Sequence, residues 1–143
     1  MSPRQIHSLD RKPLNQRNRK LIGYVTIGVN DMEKAKAFYS GLFEGRGASV
    51  MMDMGRIAFI GAKQGEPMLA VCEPHDKSTP ECGNGNMVAF AAESKEEAAQ
   101  LYAKAISLGG TDEGEPGQRI PDRFYGSYVR DPDGNKLCFY VFG

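Results

Sequence analysis

An internal repeat is the feature that most constrains how this chain of 143 residues can fold. When Tyr24 is aligned with Met87, the second half of the sequence matches the first at strand, helix-cap and helix positions. The matched pairs are Val25 with Val88, Ile27 with Phe90, Asp31 with Ser94, Ala35 with Ala98, Phe38 with Leu101, and Tyr39 with Tyr102. A shared pattern at a fixed offset indicates duplication of one structural unit. We therefore expect a chain built from two copies of that unit.

The first copy predicts a strand, a helix and further short strands. Residues 21–29 are rich in β-formers, and Asp31 then acts as an N-cap for a helix that runs to about Phe43. Strands are predicted at positions 48–54, 56–62 and 68–72.

The second copy repeats this order after a loop rich in Pro and Gly, which is the predicted linker, residues 74–86. Residues 87–92 predict a strand, and Ser94 with Glu97 forms a capping box for a helix to about Leu108. A loop rich in Gly and Pro is expected next. Strands at 125–130 and 136–142 follow, joined by a tight turn at 131–135.

Length and composition indicate one globular domain, because 41% of the residues are hydrophobic and 25% are charged. We expect this domain to span residues 21–143, with module one at 21–73 and module two at 87–143. Residues 1–20 form a polar, basic N-terminal extension.

The charge distribution argues against nucleic-acid binding. The extension holds six basic residues and one acid, whereas the rest of the chain is mildly acidic and has no basic run beside aromatic residues. Two interpretations of the extension stay open: a solvated tail, or a segment that contacts a partner.

Cysteine usage and hydropathy predict a cytoplasmic protein. Cys72, Cys82 and Cys138 have no paired spacing, so a disulfide framework or a zinc knuckle is not expected. No run of about 20 apolar residues is present, and the N-terminus lacks a signal sequence, so no membrane association is expected.

Three segments resemble the glyoxalase/bleomycin-resistance/dioxygenase superfamily, which is also known as the vicinal-oxygen-chelate superfamily. They are residues 23–39, residues 85–90 with the helix and the glycine pair that follow, and residues 128–137, which contain the most specific motif, Asp-Pro-Asp-Gly-Asn. The resemblance implies an α+β fold of two tandem βαβββ modules. These form a curved mixed sheet around a cup, with the helices on the outer face.

In metal-dependent members, four His, Glu or Gln ligands on the first and last strands of the modules hold a divalent cation. The corresponding positions here are Tyr24, Met87 and Cys138, with Met68 or Ala70 as the fourth. None of these is a usual ligand for such a cation, so no cofactor is expected, although a divalent metal stays open. A soft-metal site at Cys72, His75 and Cys82 is a weaker alternative.

Strand alternation places Tyr24, Met68, Met87, Cys138 and Tyr140 towards the cup, where they predict an apolar pocket for a small organic molecule. Arg123 and Tyr125 are expected beside its mouth, with Arg123 available to an anionic ligand. No catalytic residue can be assigned.

The expected function is therefore a metal-free binding protein. The alternative is a metal-dependent lyase, isomerase or dioxygenase of the glyoxalase I type, and a partner-binding module using the extension is a third possibility. Because members of the superfamily often dimerise, the resemblance also implies a homodimer.

Overall fold

The computed structural model describes residues 21–143, and the predicted extension lies outside them. The first module comprises β1 (Tyr24–Gly28), α1 (Met32–Leu42), a short 3-10 helix (Glu44–Arg46), β2 (Ser49–Asp53), β3 (Ile57–Gly61) and β4 (Met68–Cys72). The second comprises β5 (Val88–Ala91), α2 (Lys95–Ser107), β6 (Thr111–Ile120), β7 (Phe124–Arg130) and β8 (Lys136–Phe142). The α+β fold of two tandem βαβββ modules is confirmed.

Each module forms its own four-stranded mixed sheet, in the order β1-β4-β3-β2 and β5-β8-β7-β6. The first strand of each module pairs in parallel with the last strand, and the other neighbours are antiparallel. Both β1 and β5 are therefore edge strands. Within residues 21–143, each leaves one row of backbone groups without a strand partner.

Both helices begin at the predicted caps. The Asp31 carboxylate accepts a hydrogen bond from the backbone N–H of Lys34 at 3.1 Å, and the Ser94 hydroxyl accepts one from that of Glu97 at 3.0 Å. These contacts satisfy N–H groups that have no partner within the helix. No helix within residues 21–143 is long and apolar enough to cross a membrane.

A single apolar core joins the two modules. The helix residues matched in the repeat are buried in it, apart from Tyr102, which packs against it. The Phe43 and Phe90 rings meet across the module boundary with centroids 4.6 Å apart. The strand residues in this core include Ile27, Val71 and Leu137. They define the helix side of each sheet, and we call the opposite side the open face.

The turn at 131–135 fastens the second module to the first. Tyr39 on α1 donates a hydrogen bond to the buried Asp131 carboxylate at 2.5 Å, and the Asn135 side chain donates to the carbonyl of Gly28 at 3.0 Å. The backbone N–H of Asn30 donates to Asp133 at 2.9 Å. The most specific sequence motif therefore has a structural role at the joint between the modules.

One element differs from the prediction. The segment after α2, interpreted as a loop, is the ten-residue strand β6. It is an edge strand whose register with β7 shifts three times, twice around Gly114 and Gly117 and once between Gln118 and Ile120. Because an edge strand with bulges tolerates Gly and Pro, the residues that predicted a loop are compatible with a strand.

Candidate functional site

The open face of the first sheet is apolar and carries no charged side chain. Tyr24 lies opposite Met68 in the register, and its ring packs edge-on against Phe59 with centroids 5.0 Å apart. Tyr24 is 53% exposed. Since alternate residues of paired strands share a face, the same face also holds Thr26, Ala70, Cys72, Ile57 and Met52.

The open face of the second sheet begins with an aromatic cluster. Phe124 and Tyr140 stack nearly parallel with centroids 5.5 Å apart, and Phe142 packs against Tyr140 at 5.0 Å. Phe142 is 76% exposed. We call these three residues the aromatic cluster, and it offers a ready apolar contact surface.

Two cationic side chains lie close to the Tyr128 ring, further along the same face. The Tyr128 ring lies 5.4 Å from the Arg119 guanidinium carbon and 5.3 Å from Nζ of Lys136, both measured to the ring centre. These distances allow cation–π contact. We call Arg119, Lys136 and Tyr128 the cationic cluster. Arg130 lies opposite Lys136 in the register and forms an ion pair with Glu113 at 3.0 Å.

Cys138 lies on the open face opposite Tyr128 and is fully buried. Burial raises the pKa of its thiol, and the positive charges of Arg119 and Lys136 oppose that shift in part. The thiol is therefore the protonated form at neutral pH, and a thiolate nucleophile is disfavoured.

Two cavities lie beside the predicted residues Met68 and Met87. A groove of about 490 Å³ runs between the edge strands β1 and β5, lined mainly by apolar residues that include Val25, Met68, Met87 and Phe90. A second cavity of about 480 Å³ is lined by residues 82–86 of the linker together with Met87, Arg130 and Lys136. Met87 lines both cavities.

The predicted ligand-binding residues fall into separate places. Met68 and Met87 share the groove, Tyr24 lies on the open face of the first sheet, and Cys138 and Tyr140 lie on that of the second. Whether they bind a ligand stays a prediction.

The other two predicted ligand-binding residues are Arg123 and Tyr125. Arg123 lies exposed in the turn between β6 and β7, where its carbonyl accepts a hydrogen bond from the backbone N–H of Gly143 at 2.9 Å. The expected position of Tyr125 at the cup mouth was wrong. It lies on the helix side of β7, packed against the core, with Nζ of Lys95 5.7 Å from its ring centre.

A family model described as the glyoxalase/bleomycin resistance protein/dioxygenase superfamily matches residues 21–139. The chain belongs to this superfamily. A search among curated proteins gave no match.

Solved structures agree with this membership. A glyoxalase/bleomycin resistance protein from Albidiferax ferrireducens T118 is 33% identical with a TM-score of 0.76, over 85% of this chain and 98% of that chain. A lactoylglutathione lyase from Agrobacterium tumefaciens is 22% identical with a TM-score of 0.63, over 85% of this chain and 93% of that chain. The second likeness concerns the fold alone.

The side chains at the positions of the superfamily's metal ligands do not fit a divalent cation. The residues are Tyr24, Met87 and Cys138, with Met68 or Ala70 as the fourth, and they provide a phenol, a thioether, a buried thiol with a raised pKa, and a thioether or a methyl group. Such cations are held by carboxylates, imidazoles and, for zinc, thiolates. Residues 21–143 contain no cluster of three His, Cys, Asp or Glu side chains with metal-binding geometry. That result also disfavours the alternative site at Cys72, His75 and Cys82.

The cationic cluster was missed by sequence reasoning. Lys136, Cys138 and Tyr140 are alternate residues of β8 and therefore lie on one face of the strand. The sequence of β8 alone could thus have placed Lys136 on the open face. Arg119 could not be placed, because the segment that carries it was interpreted as a loop.

Proposed function

We propose that this member of the superfamily is a metal-free binding protein that holds a small organic molecule against the open faces of its sheets. The observation that carries the proposal is the set of side chains at the positions that the resemblance assigns to metal ligands: Tyr24, Met87 and Cys138, with Met68 or Ala70 as the fourth. Tyr24 lies opposite Met68 on the first sheet, and Met68 and Met87 line one groove, so these three side chains offer apolar contact surface in place of metal ligands.

Apolar residues left in contact with solvent support a binding role. Tyr24, Met52, Met87 and Phe142 are 53%, 56%, 43% and 76% exposed. Exposed apolar side chains that share a face, such as Tyr24 and Met52 on the first sheet, are typical of ligand or protein contact surfaces.

Restoring metal ligands tests the proposal. We expect the thermal midpoint of the wild-type protein to be unchanged by Ni²⁺, Mn²⁺ or Zn²⁺. A variant carrying Tyr24→His, Met68→Glu and Met87→His should gain a midpoint increase with the same ions, because it regains imidazole and carboxylate ligands. The variant Met52→His, which changes an exposed methionine away from these positions, is the control. An increase in the wild-type protein would contradict the proposal.

The alternative is an enzyme, such as a metal-dependent lyase, isomerase or dioxygenase. Turnover of a glutathione hemithioacetal or a catechol by the wild-type protein, lost on adding a chelator, would favour that alternative. The relative from Agrobacterium tumefaciens carries the name lactoylglutathione lyase, and this makes the hemithioacetal the first substrate to assay.

We also propose a homodimer. Within residues 21–143 the outer edges of β1 and β5 have no strand partner, and a second copy would cover them. Cys72, Cys82 and Cys138 are all unpaired, which is compatible with a reducing compartment such as the cytoplasm.

A further inference from the structure

The positive charge of the cationic cluster is not neutralised by the protein. Within residues 21–143, the Arg119 side chain donates its hydrogen bond to the backbone carbonyl of Glu115, and Lys136 forms no ion pair. Both cations instead lie over the Tyr128 ring. The neighbouring Arg130 is already paired with Glu113. The cluster therefore has two positive charges available to a ligand.

The surroundings leave this charge uncompensated. On the second sheet Glu113 forms its ion pair with Arg130, and no described carboxylate forms one with Arg119 or Lys136. Lys136 also lines the cavity of about 480 Å³ beside the linker, which has room for part of a ligand. A partly enclosed cation binds an anionic oxygen more strongly than an exposed one, because less water screens the pair.

The aromatic cluster lies on the same open face. Lys136 and Tyr140 are on one strand and on one side of it, separated by four residues, or about 13 Å of extended chain. Cations at one end and exposed aromatic rings at the other match a molecule with an anionic group and an apolar body of that length.

We propose that the ligand of this protein is an amphipathic organic anion. Its acidic group would bind at Arg119 and Lys136, and its apolar part would lie on Phe124, Tyr140 and Phe142. This inference rests on the proposed function, since it names the class of molecule that the open face holds. A cationic drug would be repelled by the same two side chains.

A matched pair of fluorescent probes tests the inference. The probes are 8-anilinonaphthalene-1-sulfonate and N-phenyl-1-naphthylamine, which share one aromatic skeleton and differ in the sulfonate. We expect the sulfonate to bind the wild-type protein at least about tenfold more tightly, since each tenfold reflects about 1.4 kcal/mol and a charge-assisted contact is of that size. Raising the salt concentration should weaken binding of the sulfonate alone.

Variants locate the effect. The double substitution Arg119→Gln with Lys136→Gln should weaken the sulfonate about tenfold or more and leave the neutral probe unchanged. Lys95→Gln is the matched control. Lys95 also lies over a tyrosine ring, but that ring is Tyr125, on the helix side of β7 and not on the open face. Phe142→Ser should weaken both probes. Thermal midpoints measured alongside show that each variant is folded.

The outcomes separate the two proposals. Equal binding of the two probes, or a double variant that still prefers the sulfonate, would overturn the anion assignment while leaving a binding protein. If neither probe binds the folded wild-type protein, the anion assignment and the proposed function both fail.

Discussion

At the scale of single residues, Asp131 is the central acceptor of the hydrogen bonds that connect the two modules. Its side chain is buried and accepts hydrogen bonds from the Tyr39 hydroxyl at 2.5 Å and from the Asn135 amide at 3.0 Å. The backbone N–H groups of Asp133 and Asn135 donate to it at 2.9 Å each. Burial, followed by the charge of Asp131, raises the pKa of Tyr39 well above its ordinary value, so the phenol stays protonated and donates.

Removing this carboxylate should be costly. We expect Asp131→Ala to lower the free energy of unfolding by about 3 kcal/mol, because it leaves several buried donors without an acceptor. Tyr39→Phe removes one donor only and should cost about 1 kcal/mol. Urea unfolding of the two single variants and the double variant measures both effects and their coupling. Equal losses in the two single variants would contradict this account.

Ser127, in contrast to Asp131, is a buried polar residue whose side chain lacks a hydrogen-bond partner within residues 21–143. Its hydroxyl is fully buried on the helix side of β7. Because an unsatisfied buried hydroxyl costs about 1–3 kcal/mol, Ser127→Ala should leave stability unchanged or raise it by about 1 kcal/mol. Thermal and urea unfolding measure the change. A loss greater than about 1 kcal/mol would indicate a role for the hydroxyl that the fold does not account for.

The cysteines should differ in reactivity. Cys82 is exposed, whereas Cys138 is fully buried and has a raised pKa, so less of it is thiolate at any given pH. With iodoacetamide at about pH 8, peptide mass spectrometry should show Cys82 modified well before Cys138. Unfolding the protein in urea should remove the difference. Comparable rates in the native protein would show that Cys138 is accessible.

At the scale of elements, sequence patterns predicted the strands and helices that alternate cleanly and begin at clear caps. Both helix starts and strand β4 agree with the prediction. The strand β6 was missed because Gly114, Pro116 and Gly117 are also typical of a loop. Pairing with β7, the next strand of the same hairpin, selects the extended conformation there, and the composition of the segment alone does not show that pairing.

The edge strand β1 provides a test of the proposed dimer. The N–H of Val29 donates to Cys72 and the carbonyl of Gly23 accepts from Met68, so odd-numbered residues of this segment pair with β4. The N–H of Thr26 therefore points to the open edge. Thr26→Pro should shift the protein from dimer to monomer in light scattering while leaving its circular dichroism unchanged.

The matched control is Thr26→Val, which retains the N–H and the branched side-chain shape. It should remain dimeric. A proline variant that dimerises as well as the valine variant would show that this edge does not contribute to the assembly.

At the scale of the whole molecule, duplication explains both the fold and the location of the candidate site. The repeat predicted two modules, and alternation placed Tyr24, Met68, Cys138 and Tyr140 on strand faces from the sequence alone. The cationic cluster depends on how β6, β7 and β8 come together, so alternation within one strand could not reveal it. The position of Tyr125 was misjudged for a related reason, since only the β7–β8 register shows which way it faces.

The measurement that tests the central claim most directly is the metal content of the wild-type protein, purified without a histidine tag or a chelator, by elemental mass spectrometry. We predict far less than one divalent ion per chain, because the side chains at the metal-ligand positions are phenol, thioether and buried thiol. About one divalent ion per chain would contradict the account and would favour the metal-dependent enzyme.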